Sequence, residues 1–458
     1  MLRSARDPAG CSGRLRGAAD RGRGPPLTER VEVVVIGAGF AGLRAARDCA
    51  DAGVATVVVE ARDRLGGRTW TRPYEPTGDL VEVGGAYFLH THDQVAAELR
   101  RHGLGARRCA PPGGFRWHTA GVTRAGLPVP VGEWEELERV VRAVARDVDD
   151  YAAGAAPEVA ALSLAEYFDR LAAPPAVRDF LFGWSVTSVG APETSGCVAD
   201  GLSSLADHGG LLGYARILEQ VPVPGWGALA AAMAATPDLQ VRLAAPVTKV
   251  AAHGRRFRVT TAHGDLDASR VVVAVPVNTL PHLTLDLDVP PGIDAVAGAN
   301  TGAAVKLVLR AAGVPPGVWG VGRGHGLGQL VWDRQDDGVA WLVGFGARDP
   351  AVDLDRPEQV RRAVASYFPE ATVLDSTWHD WNADVWSRGT WFTARPGRPP
   401  APAPAADPRA GVQFAGSDLA GRHQGWIEGA LLSGAQAAAR ILHQLGVADL
   451  PAAAPPGR

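Results

Sequence analysis

The chain has 458 residues, 46% of them hydrophobic, enough to build two or more packed domains. Its 46 Lys and Arg against 49 Asp and Glu leave a formal charge of −3, which gives no basis for a nucleic-acid or anionic-membrane partner. The cysteines (Cys11, Cys49, Cys109, Cys197) are scattered without CxxC spacing, which argues against a disulfide framework or a metal site and fits a reducing cytoplasm.

Residues 1–30 are rich in Arg and Gly and lack an apolar run. They read as a disordered extension or a misassigned start rather than a secretory signal. An apolar, β-branched run from Val33 to Ile36 then leads into Gly37-Ala38-Gly39-Phe40-Ala41-Gly42. A helical segment follows, and a second apolar run, Val57 to Val59, is closed by Glu60. Strand, glycine turn, helix, strand and acid in that order form a dinucleotide-binding fingerprint. Gly37 permits the tight turn, Gly39 lets a pyrophosphate approach the backbone, and Gly42 lets the helix pack close to the sheet. The helix start offers free N–H groups and a partial positive charge to phosphates. Glu60, 18 positions after Gly42, is placed to accept the ribose hydroxyls. In Arg64-Leu65-Gly66-Gly67-Arg68-Thr69 the glycine pair allows another close backbone approach, and Arg68 supplies a donor fork for phosphate.

A further glycine pair stands in Glu82-Val83-Gly84-Gly85-Ala86-Tyr87. His90 and His92, just beyond, can face a pocket and tune protonation; more often such residues form the polar start of a helix, here with Thr91 or Asp93 as cap. The spacing predicts helices between Gly132 and Arg178, strands across Val247–Val275 and Val305–Phe345, and a helix over Pro357–Tyr367. Pro396–Pro408 reads as a loop, Gly411–Ala415 as a last strand, and Ile427–Leu442 as a closing helix. No run of about 20 consecutive apolar residues is present, so no membrane partner is expected. Lys249 and Lys306 are the only lysines. A lysine in the apolar run Ala303–Val308 is costly unless it is paired, functional or reaching solvent from a strand edge.

Phe414-Ala415-Gly416-Ser417-Asp418 and Gly425-Trp426-Ile427-Glu428-Gly429-Ala430 complete a set of motifs with the fingerprint, the Gly66-Gly67-Arg68 run and Glu82–Tyr87. By these motifs, in this order, the sequence resembles the flavin-containing amine oxidase family over about residues 31 to 446. The resemblance implies an α/β, monoamine oxidase-like two-domain fold. A Rossmann-like FAD-binding domain would comprise 31–113, 222–297 and 396–446. A second domain of sheet plus helices, α+β in character, would bind substrate with 114–221 and 298–395, leaving 447–458 as a flexible tail.

It also implies FAD as cofactor. The residues expected to hold it are Gly37, Gly39, Phe40, Ala41 and Gly42 in the first turn; Glu60, Ala61, Arg62, Gly66, Gly67 and Arg68 after the second strand; Gly84, Gly85, Ala86 and Tyr87; Val247 in the returning strand; and Gly416, Ser417, Asp418, Trp426 and Ile427. The helix starting near Ile427 would direct its N-terminus at the flavin. Three residues carry the implied catalysis. Lys306 corresponds to the lysine that holds a water against the flavin, and Trp391 and Trp426 to the ring pair that sandwiches the amine. Packing is the alternative for these rings, since Trp378, Trp381 and Trp386 are close in sequence. Thr390 stands where a cysteine tethers the flavin in monoamine oxidases, so the FAD is expected to be non-covalent. Phe88 replaces an arginine that grips the substrate carboxylate in L-amino-acid oxidases, which favours an amine without one. Asp333 is a weaker candidate for meeting a second amine.

The activity implied is hydride transfer from the carbon next to an amine nitrogen, imine hydrolysis to a carbonyl, and reoxidation by dioxygen to hydrogen peroxide. Bacterial amine catabolism or secondary metabolism would be its setting. A biosynthetic flavin desaturase and a flavin-binding interaction module are the alternatives. A homodimer is left open.

Overall fold

The computed structural model describes residues 28–214, 216–290, 292–398 and 411–447. Most of the expected N-terminal extension, most of the Pro/Ala loop and all of the C-terminal tail after Val447 lie outside the described residues. The first strand, Glu29–Ile36, begins inside the expected extension, because Glu29 and Arg30 already pair with Leu266 and Asp267.

Two large sheets organise the molecule. In the first, Glu29–Ile36 lies parallel to Thr56–Val59 on one side and to Gly264–Val273 on the other. Leu239–Arg242 extends this parallel set beyond Thr56–Val59, and Val412–Phe414 pairs with the far end of Gly264–Val273. The hairpin of Val247–His253 and Arg256–Thr261 continues the sheet antiparallel. The β-branched runs are buried because this sheet is covered on both faces. Strand pleating sends Val33 and Val35 into one core and Val34 and Ile36 into the other. The helices Phe40–Asp51 and Ile427–Gln444 pack on the first of those faces, closely enough that a Cβ on Gly434 would collide with the Ala41 carbonyl.

The second sheet has seven strands, with Ala304–Ala312 between Thr372–Trp378 and Val339–Ala347. Gln329–Asp336 and Val318–Gly322 continue it, and Gly114–Thr119 joins in parallel before Val122–Ala125. Val305, Leu307, Leu309 and Ala311 face the helix Pro357–Ala365, so the alternating positions Lys306, Val308 and Arg310 face the opposite side. Helices Trp134–Ala152, Pro157–Ala160, Leu164–Arg170, Pro175–Ser188 and Val198–Asp207 cover the end near Gly114–Thr119. Among the described residues no helix is long and apolar enough to cross a membrane.

Candidate active site

A cavity of about 670 Å³ takes walls from both sheets and from the covering helices. The nucleotide turn forms one end. Gly37 has φ +104°, and a Cβ there would stand 2.6 Å from the Ala274 carbonyl oxygen. A Cβ on Gly42 would collide with the Gly37 carbonyl, so Gly42 serves helix packing and does not line the cavity. Gly39 begins the helix without a side-chain cap, and the first turn carries no acid. Gly39, Phe40 and Ala41 line the cavity, so this uncapped N–H end opens onto it. Gly67, with φ +60°, comes so near that its Cβ would lie 3.1 Å from the Gly39 Cα. Glu60 is buried, and its two oxygens accept the Ala38 N–H at 2.7 Å and the Arg62 N–H at 2.9 Å. Side-chain-free backbone, an uncapped helix start and a fixed carboxylate on one cavity fit a dinucleotide.

Arg68 lines the cavity and also bonds to protein groups. Its Nη1 donates to the Thr390 carbonyl at 2.6 Å, and its Nη2 to Asp418 at 2.7 Å and to Ser417 at 2.9 Å. The guanidinium thus joins motifs 322 and 350 residues apart while it also lines the cavity. Gly84 and Gly85 pack on the same turn. A Cβ on Gly84 would collide with the Arg68 carbonyl, which accepts the Gly85 N–H at 3.1 Å.

Lys306 lines this wall, and its Nζ donates to the Gly84 carbonyl at 3.0 Å and stands 5.5 Å from the centre of the Tyr87 ring. Burial pulls its pKa down from 10.5 to about 8, against the opposing pull of Glu82, Asp333 and Cys109. Thr390 is buried, and its hydroxyl accepts the Ala304 N–H at 3.1 Å.

Both tryptophans line the cavity. Trp391 donates its ring N–H to the Ser188 carbonyl at 3.2 Å, and a Cβ on Gly190 would collide with its indole. A Cβ on Gly425 would lie 3.1 Å from the Trp391 Cβ, so the backbone entering Trp426 touches Trp391. Trp426 is the N-cap of the closing helix, again without a side-chain cap, and Ile427 lines the cavity beside it. Glu428, in the first turn, faces away and accepts the N–H groups of Gln94 and Val95 at 3.0 and 2.9 Å. The remaining expected cofactor residues, Ala61, Arg62, Gly66, Ala86, Tyr87, Val247, Gly416, Ser417 and Asp418, also line the cavity.

Several candidates are placed elsewhere. Asp333 pairs with Arg107 at 2.8 Å and is not on the cavity wall. His90 is exposed and pairs with Glu219 at 2.9 Å. His92 is the N-cap of Asp93–Arg101, neither Thr91 nor Asp93 caps that helix, and Glu428 satisfies its first N–H groups instead. The His92 ring is fully buried, 5.1 Å from Trp426 and 5.2 Å from His423. Phe88 is buried against Trp226 in a separate core, so its identity says nothing about a substrate carboxylate.

Sequence reading missed the polar face that Asp200, Ser203, Ser204 and Asp207 turn to the cavity. Their i, i+3, i+4, i+7 spacing opposite the buried Val198 and Leu202 was the available signal. It also missed Phe345 and His423 on the wall.

The model of the flavin containing amine oxidoreductase family matches residues 40–442. (S)-6-hydroxynicotine oxidase of Paenarthrobacter nicotinovorans is 32% identical over 437 residues, covering 90% of this chain and 99% of that protein. Pseudooxynicotine dehydrogenase of a Pseudomonas species is 30% identical over 93% of this chain and 90% of its own. The structure of putrescine oxidase bound to putrescine superposes with a TM-score of 0.79 at 22% identity, over 91% of this chain and 100% of that one. The chain therefore belongs to the flavin-containing amine oxidoreductase family, with FAD as cofactor and amine oxidation at CH–NH groups as its chemistry. The fold is the two-domain one of that family, as expected.

Proposed function

We propose that the cavity oxidises a neutral amine carried on an apolar or aromatic frame, with dioxygen as the electron acceptor and hydrogen peroxide as its product. The observation that carries this reading is the convergence of Lys306, Trp391 and Trp426 on the cavity that begins at the glycine turn. FAD, when bound, supplies the two-electron acceptor for the substrate C–H bond. The uncapped helix starts at Phe40 and Ile427 would stabilise its pyrophosphate and the negative charge of its reduced ring. Segments 31–113, 222–297 and 396–446 are assigned to holding FAD, and 114–221 and 298–395 to the substrate. Thr390 offers no thiolate, which supports a cofactor held without a covalent bond.

Trp391 and Trp426 present π faces to a cationic or neutral nitrogen and exclude water from it. Lys306, with its pKa near 8, is poised to hold a water and to exchange a proton at Nζ. Only the neutral amine has a lone pair free to assist C–H cleavage, so activity should rise with pH toward the substrate pKa. The scattered cysteines favour the cytoplasm. Transfer to an acceptor other than dioxygen is the second reading, because a relative of 30% identity is named a dehydrogenase.

The test is anaerobic bleaching of the flavin's visible band with a panel of amines, amino acids and alcohols, followed by admission of air. Bleaching by one amine class with rapid return of colour and stoichiometric peroxide supports the oxidase. Bleaching that persists in air but is reversed by an artificial electron acceptor selects the dehydrogenase. No bleaching by any amine overturns both.

A further inference from the structure

We infer that Val385 and Trp386 form an apolar cover for the adenosine half of FAD, contributed by the same loop that leads to Thr390 and Trp391. The inference rests on FAD occupying the cavity described above. Val385 is 55% exposed and Trp386 39% exposed, and both line the cavity. Nearby tryptophans are occupied differently: Trp381 is buried with its N–H on the Val83 carbonyl, and Trp378 donates to Asp355. An open indole beside an open isopropyl group on a cavity wall is a surface that an apolar ligand face would cover.

The loop bearing them is fixed from below. The Asp384 carboxylate accepts the Trp386 N–H at 2.8 Å and the Arg62 guanidinium at 2.8 Å, and bonds His379 Nε2 at 3.0 Å. Arg62 also donates to the Ser387 hydroxyl at 2.7 Å. The Arg62 backbone N–H in turn donates to Glu60, the acid placed for the ribose. A continuous hydrogen-bonded path thus runs from Glu60 through Arg62 and Asp384 to Trp386. It ties the Trp386 backbone to the acid placed for the ribose, whereas Lys306 bonds to the separate Gly84 segment. A purine is a flat π surface, and an indole is a strong stacking partner for one. Without a thiolate at position 390, retention of the cofactor falls on contacts of this kind.

The experiment compares flavin release from the purified holoenzyme, and from enzyme exchanged into FMN, by ultrafiltration over a dilution series. FMN lacks the adenosine, so it cannot use this cover. Trp386→Ala should weaken FAD binding about tenfold, corresponding to about 1.4 kcal/mol, with FMN binding unchanged. Trp386→Phe should restore most of the FAD affinity. Val385→Ser, a smaller change, should shift FAD in the same direction and keeps the test available if the tryptophan variant does not fold. Equal weakening of FAD and FMN, or no change for FAD, overturns the inference. A purified protein that carries no FAD would instead overturn the occupancy on which it rests.

Discussion

Lys306 shows how a single position carries both a cost and a proposed role. Its pKa is depressed below that of an unfolded lysine, so between about pH 8 and 10.5 the unfolded chain binds more protons than the folded one. Stability contributed at this site therefore rises with pH through that window and is lowest below it. Lys306→Met should accordingly raise the melting temperature at neutral pH while the enzyme keeps its FAD. It should slow turnover by about 10²-fold, the low end of what a positioned proton-transfer group supplies. Stopped-flow reoxidation of the reduced variant at the unaltered rate would remove Lys306 from the step with dioxygen. The position stood out in the sequence for one reason, a lysine inside an apolar strand of a chain with only one other lysine, Lys249. Its partner did not, because Gly84 lies 222 residues away. Arg68 likewise meets partners that its local sequence does not name. Sequence marked it as a cofactor residue, it lines the cavity, and the fold adds bonds from it to Thr390, Ser417 and Asp418.

At the scale of the element, the helix Asp93–Arg101 depends on a cap from the far end of the chain. Glu428 is buried and satisfies the N–H groups of Gln94 and Val95. Glu428→Ala should cost about 1–3 kcal/mol, the price of leaving buried donors unpaired, and speed amide exchange at Gln94 and Val95. Exchange at those two amides unchanged from wild type would refute the cap. His92, at the start of the same helix, adds a pH dependence. Burial, then His423 and His208, hold its pKa down from 6.5 to about 3. Between those values only the unfolded chain takes up the proton, so stability falls as pH drops from about 6.5 toward 3. His92→Phe should flatten that acid limb of the melting temperature against pH. Local caps such as Thr91 are what a sequence offers, and here a carboxylate 333 residues away fills the place instead.

For the whole molecule, the cavity joins segments that are distant in sequence, and the cofactor binds the folded state only. FAD at a thousandfold excess over its dissociation constant should therefore add about 4 kcal/mol of stability, and its removal should lower the melting temperature measurably. An apoprotein that melts at the holoenzyme temperature would mean that FAD makes no net contribution to holding these segments together. The sequence by itself determined the nucleotide turn, the parallel strands and helices around it, and the family. The turn and its flanking strands and helix follow from residues within one short span, where glycine sterics, β-branching and helical period act locally, and the family follows from several such short motifs read in order along the chain. Only the tertiary structure decided that Arg68 bridges protein groups, that Phe88 and Asp333 leave the site, and that Trp386 stands open while Trp381 is buried. Those outcomes depend on which distant segment arrives opposite each side chain. Local chemistry sets what a residue can do, but packing across hundreds of positions sets which partner it meets.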